Sequence, residues 1–326
     1  MVKRRAALAA ACLVVLSLLS ITVHAAHAAG DALTAAQWLK KGAALLKAKD
    51  PDGAIAAFTA AIKADPRSPE GYSERSRAYL AKQDFPLTLA DLDKAIMLAP
   101  NNPTYYNNRA AVNMKLLRYP LALADLDNAI RLDPSNSTYY NNRAGTNLIL
   151  DKYDHVIADC DKAIELDRKN ASAYRYRGSA HFHKRRYEAA IADYTSAINL
   201  NPRYESAYKQ RAGVYIHTGK FDLGFADANK IIALNPGDAE ALITRGMLCV
   251  LKNEYDLAVD DIERGLKINP DFRAGEPYYY QAVAYERTGR RHEALAAYRQ
   301  YLAKAPPDAR YAETARQRIA LLEHNQ

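Results

Sequence analysis

From Ala35 onward, apolar and small residues recur at three- and four-residue intervals with polar residues between them. That is the period of an α-helix and not the alternation of a strand. The stretches come in couples separated by a short turn. The turn carries an aromatic at Phe85, Tyr119, Tyr153, Tyr187, Phe221 and Tyr255, followed by Pro86, Pro120, Asp154, Glu188, Asp222 and Asp256. Proline and acids suit the first turn of a helix, because proline needs no N–H there and a carboxylate meets the positive end of the dipole. The second stretch of each couple closes on Ile62, Ile96, Ile130, Ile164, Ile198, Ile232 or Leu266, just before a loop. Thr34 and Gln37 have the spacing of a capping box, so the first helix is expected to begin directly after Thr34.

The couples repeat on a ruler. Pro66, Pro100, Pro134, Pro202, Pro236 and Pro270 are spaced at multiples of 34 residues, and Arg168 occupies the one vacant mark. A fixed period of this length indicates a solenoid, in which a couple cannot bury its apolar face alone and folds by stacking on its neighbours. Counted from Ala35, the first unit carries Trp38, Gly42, Ala54, Phe58 and Pro66. Later units keep an aromatic at the fourth place, Tyr72, Tyr106, Tyr140, Tyr174 and Tyr208, with Leu242 the exception. This resembles the tetratricopeptide repeat (TPR), whose pattern runs W-x2-L-G-x2-Y, then A-x3-F, then P. Lys41 and Leu45 stand where Leu and Tyr are usual. The resemblance implies an all-α, right-handed superhelical solenoid of about eight helix pairs. Its units would be 35–68, 69–102, 103–136, 137–170, 171–204, 205–238 and 239–272, with an eighth at 275–308 after a two-residue slip. A C-terminal capping helix is expected over 309–324. Asp308 would cap it, Ala312, Ala315, Ile319 and Leu322 would form its buried stripe, and Arg310, Glu313, Arg316 and Glu323 its wet side.

Two further places vary together. The seventh holds Arg75, Arg109, Arg143, Arg177, Arg211 and Arg245, and the twenty-third holds Asp91, Asp125, Asp159, Asp193, Asp227 and Asp261 in the same six units. The outer units lack both partners, with Lys41 and Ala57 in the first and Gln281 and Ala297 in the eighth. Acids and bases that appear and vanish together are expected to touch, as a repeated bidentate ion pair part-buried between the two helices of a unit. Ala110, Ala144, Gly178 and Gly246 at the eighth place are small enough for helices to approach.

The six residues YYNNRA occur at Tyr105–Ala110 and again at Tyr139–Ala144, each followed by another asparagine, Asn113 and Asn147. The fourth place and the arginine are scaffold on the pattern above. The second, fifth, ninth, twelfth and thirteenth places fall on the other side of the first helix. In TPR arrays that side lines a concave groove for an extended or helical segment of a partner. The resemblance therefore puts Asn107 and Asn141 in the groove and Asn108 and Asn142 at its edge. Arg175, Tyr176, Lys209 and Gln210 follow along it, and Lys115, His183 and His217 lie deeper. An amide both donates and accepts, which suits gripping a peptide backbone of any sequence, and the cations would suit a segment carrying carboxylates. Some TPR domains hold a C-terminal carboxylate with an asparagine and lysine/arginine clamp. Asn108 and Asn142 match its asparagine, but Thr138, Asn142, Ser172 and Tyr176 occupy the basic places, so strict C-terminal recognition is not expected.

Composition changes this picture little. The chain has 326 residues, 23 of them Tyr against 6 Phe and 1 Trp, so most aromatic rings carry a hydroxyl. Lys3, Arg4 and Arg5 precede an apolar run to Val23 and the small-residue segment AHAAG, the form of a signal peptide over residues 1–28 cleaved after Ala28 or Ala25. An uncleaved anchor is the competing reading. Removing the three basic residues lowers the formal charge from +8 to +5, a balance that does not point to nucleic acid. The expected setting is therefore exported, periplasmic or secreted. Cys160 and Cys249, three repeats apart, are too distant to bond and are read as small buried hydrophobes.

No phosphate-binding glycine loop, H-E-x-x-H, C-x-x-C or G-x-S-x-G is present, so neither catalysis nor a cofactor is expected. His181 and His183 diverge on a helix and do not suggest a metal pair. Asn136 and Asn170 head N-x-S/T triplets, which matter only in a eukaryotic source. The leading expectation is a non-catalytic exported scaffold that binds a protein segment. A carbohydrate-binding or polysaccharide-export accessory is the alternative, since Tyr and Asn also suit sugars, and an enzyme ranks last. Protein recovered from its native compartment is expected to begin near Ala26 or Ala29, as read by N-terminal sequencing. An intact Met1 on membrane-bound protein would establish an anchor instead.

Overall fold

The computed structural model describes residues 33–306 and 308–324. Residues 1–28, expected from the sequence to be a signal peptide, lie outside the described residues. Among those described there are seventeen α-helices, one short 3-10 turn at Phe272–Gly275, and no strand. The chain divides into two compact units, one ending at Pro134 and the other beginning at Ser135. The first holds the hairpins α1 (Ala35–Lys47) with α2 (Pro51–Ala64), α3 (Pro69–Ala81) with α4 (Phe85–Leu98), and α5 (Pro103–Lys115) with α6 (Tyr119–Leu132). The second holds α7 (Ser137–Ile149) with α8 (Tyr153–Leu166), α9 (Ala171–His183) with α10 (Tyr187–Leu200), and α11 (Glu205–His217) with α12 (Phe221–Leu234). It continues with α13 (Ala239–Leu251) and α14 (Tyr255–Ile268), α15 (Glu276–Arg287) and α16 (Arg291–Lys304), and ends on α17 (Ala312–His324). Within each unit every second helix packs on the first helix of the next hairpin.

Local chemistry sets the helix ends. Thr34 and Gln37 form the expected reciprocal capping box. Asn102, Asn136, Asn170 and Asp238 accept backbone N–H groups at the starts of α5, α7, α9 and α13, so both N-x-S/T asparagines serve as helix caps. Each hairpin turn is closed by a Schellman arrangement: the sixteenth-place N–H reaches the eleventh-place carbonyl, as from Asp50 to Leu45 (2.9 Å) and from Arg186 to His181 (2.8 Å). The fifteenth place takes the left-handed conformation this requires, at Lys49, Gln83, Leu117, Asp151, Arg185, Gly219, Asn253 and Gly289. Only two of these are glycine, so the other six hold a backbone that disfavours an L side chain by roughly 1–2 kcal/mol.

The core is largely alanine at the twentieth and twenty-seventh places, and in several hairpins size is traded between places eight and twenty-four. Gly42, Gly178 and Gly246 face Phe58, Tyr194 and Ile262, and a Cβ on any of the three glycines would lie within 3 Å of the opposing side chain. Ala110 instead shares a buried cluster with Leu126, and Ala144 and Cys160, at the same two places of the next repeat, are both buried. Both described cysteines are free and buried, and burial raises their thiols well above the ordinary value. The fourth-place tyrosine clips the preceding loop: the hydroxyls of Tyr72, Tyr106 and Tyr208 donate to the carbonyls of Pro66, Pro100 and Pro202 at 3.3, 3.1 and 3.5 Å.

The Arg–Asp ladder is present in all six units. Arg75 Nε and Nη2 each lie 2.8 Å from Asp91, and Arg143 grips Asp159 at 3.0 and 2.6 Å. The same fork joins Arg109 to Asp125, Arg177 to Asp193, Arg211 to Asp227 and Arg245 to Asp261. A third donor adds a contact the sequence pattern did not reveal. Nη1 of Arg75, Arg109, Arg177, Arg211 and Arg245 reaches back to the twenty-fifth place of the preceding hairpin, at Thr59, Asp93, Asp161, Thr195 and Asn229, over 2.6–3.1 Å. Asn113 and Asn147 add an amide donor to Asp125 and Asp159 (3.2 and 3.4 Å), so the third asparagine of each repeated stretch is also scaffold. Where the ladder ends, a hydrogen-bonded chain without an arginine at the seventh place replaces it: Gln281 donates to the Tyr285 hydroxyl, which donates to Glu263 at 2.6 Å.

The closing helix departs from expectation at its start. It begins at Ala312, not at 309, which leaves Asp308 four residues before its first residue. The reason is Tyr311, whose ring stacks on Tyr279 with centroids 4.2 Å apart and whose N–H donates to the Tyr301 hydroxyl. Seating that ring takes the residues that would otherwise have formed the first turn. Ala312 and Ala315 are buried, Ile319 and Leu322 pack on the same cluster, and Glu313, Arg316 and Glu323 are exposed.

Because the Asp261 side chain is 0% exposed, Arg245→Ala should lower unfolding free energy by roughly 3–5 kcal/mol. Exchanging both for apolar residues, Arg245→Met with Asp261→Leu, should be milder. Denaturant melts followed by circular dichroism check this, and an Arg245→Ala protein that melts with the parent would contradict the ladder's structural role.

Candidate functional site

The first helices of the second unit present their fifth, sixth, ninth, twelfth and thirteenth places together, and this face holds a pocket of about 510 Å³. Ser179, Phe182 and His183 of α9 line it with Gln210, Gly213, Ile216 and His217 of α11, Leu148 of α7 and Tyr194 of α10. Its walls are fixed by contacts of their own. His183 stacks on Tyr153 with centroids 4.8 Å apart, Phe182 meets His217 edge-on, and the Tyr187 hydroxyl lies 2.8 Å from His217 Nε2. Tyr194 donates to the Ser179 hydroxyl at 3.2 Å. Among the described residues no three His, Cys, Asp or Glu side chains are grouped to hold a metal ion.

Of the residues singled out in the sequence, Gln210, His183 and His217 line this pocket, and the Gln210 Oε1 is buried with no partner. Asn141 Oδ1, two repeats back on α7, is likewise buried and unpartnered. The Asn142 carbonyl accepts the Thr146 hydroxyl. Tyr176 packs across Gly145, 3.2 Å from where a Cβ would stand, and carries the Arg175 guanidinium 4.2 Å over its ring. Arg175 Nε also donates to the Tyr204 hydroxyl at 2.8 Å. Burial alone would raise Tyr204, but the hydrogen bonds from Ser172 and Arg175 bring it below the ordinary tyrosine value. Lys209 does not face open solvent: its Nζ lies 2.8 Å from Asp238 and 3.1 Å from Glu240 at the start of α13. Burial opposes its charge, yet the two carboxylates prevail and raise its pKa. The two cations expected to attract a carboxylate are thus both engaged within the chain.

In the first unit, Asn108 lines a second pocket of about 650 Å³ with Leu39, Lys40, Glu70, Glu74 and Arg77, while Asn107 is half-buried on the same helix. Lys115 lines a third with Leu46, Leu80 and Phe85. Sequence reasoning passed over Phe182, Gly213 and Ile216 because they read as ordinary helix-face residues. A glycine at the ninth place of a helix was the signal available.

Family models described as tetratricopeptide repeat match residues 39–103, 171–204, 239–272 and 278–307, together half of the chain. The chain belongs to the tetratricopeptide repeat family. No curated protein matches it. Among solved structures, a TPR protein from Parabacteroides merdae is 19% identical, covering 77% of this chain and 98% of its own, with a TM-score of 0.58. Pseudomonas aeruginosa pilF is 18% identical over 64% of this chain and 94% of its own, with a TM-score of 0.57. YrrB, a TPR protein with an unusual peptide-binding site, is 22% identical over 59% of this chain and 97% of its own, with a TM-score of 0.51. At these identities the likeness is one of fold, an all-α repeat solenoid.

His181 occupies the eleventh place of this TPR unit, where Asn113 and Asn147 stand elsewhere, and its Nε2 lies 3.8 Å from Asp193. Its Nδ1 is buried without a partner. Burial lowers its pKa below 6.5, Asp193 opposes that, and Arg177 and Arg186 add to the lowering. The unfolded chain therefore takes up this proton more readily than the folded one. Stability that is intact above about pH 6.5 is lost as pH falls from there through the folded pKa, with a slope of at most about 1.4 kcal/mol per pH unit. Urea midpoints between pH 7.5 and 5 should show this decline, and His181→Asn should flatten it.

Proposed function

We propose that this TPR protein is a non-catalytic, exported scaffold that holds an extended or helical protein segment against the face of its first helices. The observation that carries the reading is the pair of unpartnered, buried amide oxygens of Asn141 and Gln210 on that face. A buried polar atom without a partner is unfavourable by about 1–3 kcal/mol. A segment whose backbone N–H groups lie along the helices relieves that, whatever its sequence. The peptide-binding site of YrrB, on the same fold, agrees with this use of it. The acidic partner suggested by Arg175 and Lys209 is not carried forward, because Tyr204, Asp238 and Glu240 already engage them. A protein segment is favoured over a sugar, since aromatic rings that a sugar would cover are occupied, Tyr153 by His183 and Tyr176 by Arg175.

A photoreactive residue in place of the exposed Ile149 should crosslink a discrete protein species in the native compartment. Asn141→Ala with Gln210→Ala should reduce that capture at least tenfold, which needs only ~1.4 kcal/mol. Stability should hold or rise, since each change removes an unpaired polar atom. Undiminished capture by the double variant would refute the assignment of this face.

A further inference from the structure

The pocket beside Gln210 has a feature that packing within the chain does not account for. Gly213 lies inside α11, where glycine is less favourable than alanine by about 1 kcal/mol. The other glycines within described helices each have a neighbour that a Cβ would meet: Phe58 at Gly42, Ile62 at Gly71, Tyr194 at Gly178, Ile262 at Gly246. At Gly213 nothing stands within 4 Å of the Cβ position.

A neighbouring repeat shows what such a glycine admits. Gly145 holds the same ninth place on α7, and the space above it is filled by the ring of Tyr176, from the sixth place of the next repeat. Above Gly213 the corresponding residue is Thr244, which does not come within 4 Å. The ring that closes the first position has no counterpart at the second, and the pocket opens there instead.

We propose that this pocket anchors one aromatic side chain of the bound segment, a tyrosine or tryptophan, with its ring over Gly213 and its O–H or N–H donated to Gln210 Oε1. The inference rests on the segment-binding reading above and names what that segment must carry. Phe182, Ile216 and Leu148 supply apolar walls, His183 and His217 supply planar ones, and Gln210 supplies the single buried acceptor that lacks a donor. The stacking of His183 on Tyr153 and the bond between Tyr187 and His217 hold those walls in place before a ring arrives, so little ordering is left for binding to bring about. Phenylalanine would fill the same volume and leave the Gln210 oxygen unpaired. Leucine would lose the ring as well.

Selection of a displayed random-peptide library on the full chain tests this. Enriched peptides should share a tyrosine or tryptophan at one position. Changing that residue to Phe should weaken binding at least threefold, and to Leu at least tenfold. Gly213→Leu, which fills the pocket from below, should weaken the selected peptide at least tenfold and melt at or above the parent temperature. Gly213→Ala is the milder companion should the larger residue disturb the helix, and it should weaken binding by an intermediate factor. Peptides that enrich without an aromatic, yet lose binding in the Asn141→Ala, Gln210→Ala variant, would overturn the anchor and leave the segment-binding reading standing. A library from which nothing enriches would overturn both.

Discussion

An arginine that makes three bonds in two directions organises this fold. Its fork closes on an aspartate of its own hairpin, and its remaining donor reaches the hairpin before it. The carboxylates of the ladder are nearly excluded from water, with side-chain exposures between 0 and 8%. A buried carboxylate tolerates little freedom in its partner, since its desolvation is offset only while the geometry holds. The crossing of the two helices in a hairpin, and the offset to the preceding one, are therefore set by a charged group of fixed planar shape and not by the alanine core alone. That core supplies most of the apolar burial but, being small and uniform, specifies orientation weakly. The fourth-place tyrosine stands near the same guanidinium, with ring centroids 5.5–5.9 Å away in five units, so loop, hairpin and neighbour meet around one side chain.

Much of this was legible in the sequence because it repeats. Seventh-place Arg and twenty-third-place Asp vanish together in the outer units, and co-occurrence of that kind survives without any structural knowledge. The third bond was not legible because its acceptor varies among Thr, Asp and Asn, which share only the ability to accept a hydrogen bond. The hairpin turn was hidden for a related reason. Its left-handed residue is Lys, Gln, Leu, Asp, Arg or Asn as often as not, because a Schellman closure at both flanking carbonyls over-determines the backbone and glycine becomes optional. Ends were the least legible part, and Tyr311 shows why. A single ring seated among Tyr279, Tyr280 and Tyr301 moved a helix start that helical periodicity alone would have put earlier.

The candidate site was legible in outline but not in its chemistry. Counting places put Gln210 and Asn141 on the correct helix face, and in the structure both expose the polar face of an amide to a neighbourhood that does not answer it. The same counting gave no warning that Lys209 would be claimed by the first residues of the following hairpin. A cation at the fifth place lies close to the next helix start, where Asp and Glu gather for reasons of capping, and Asp238 meets both Lys209 and the Ala241 N–H. Charge on this face is therefore governed by helix-end chemistry, while the amide oxygens of Asn141 and Gln210, which meet no such rival, are left without a partner.

The backward reach of the arginine bears on how such a chain can change over generations. For Arg75, Arg109, Arg177, Arg211 and Arg245, all three bonds lie within the residue's own 34 residues or in the hairpin just before. An added repeat would arrive with its own arginine and aspartate, receive the preceding acceptor, and offer one to its successor. A lost repeat would remove its charges in a matched set. Length can thus drift by whole units without stranding a buried charge, whereas a gain or loss of a few residues inside a unit would strand one at once. The two-residue slip after Pro270 falls where that rule no longer applies, because beyond Asp261 the ladder has already given way to the chain of Gln281, Tyr285 and Glu263, which has no seventh-place arginine to strand. Indel tolerance in this molecule is, in effect, written by electrostatics.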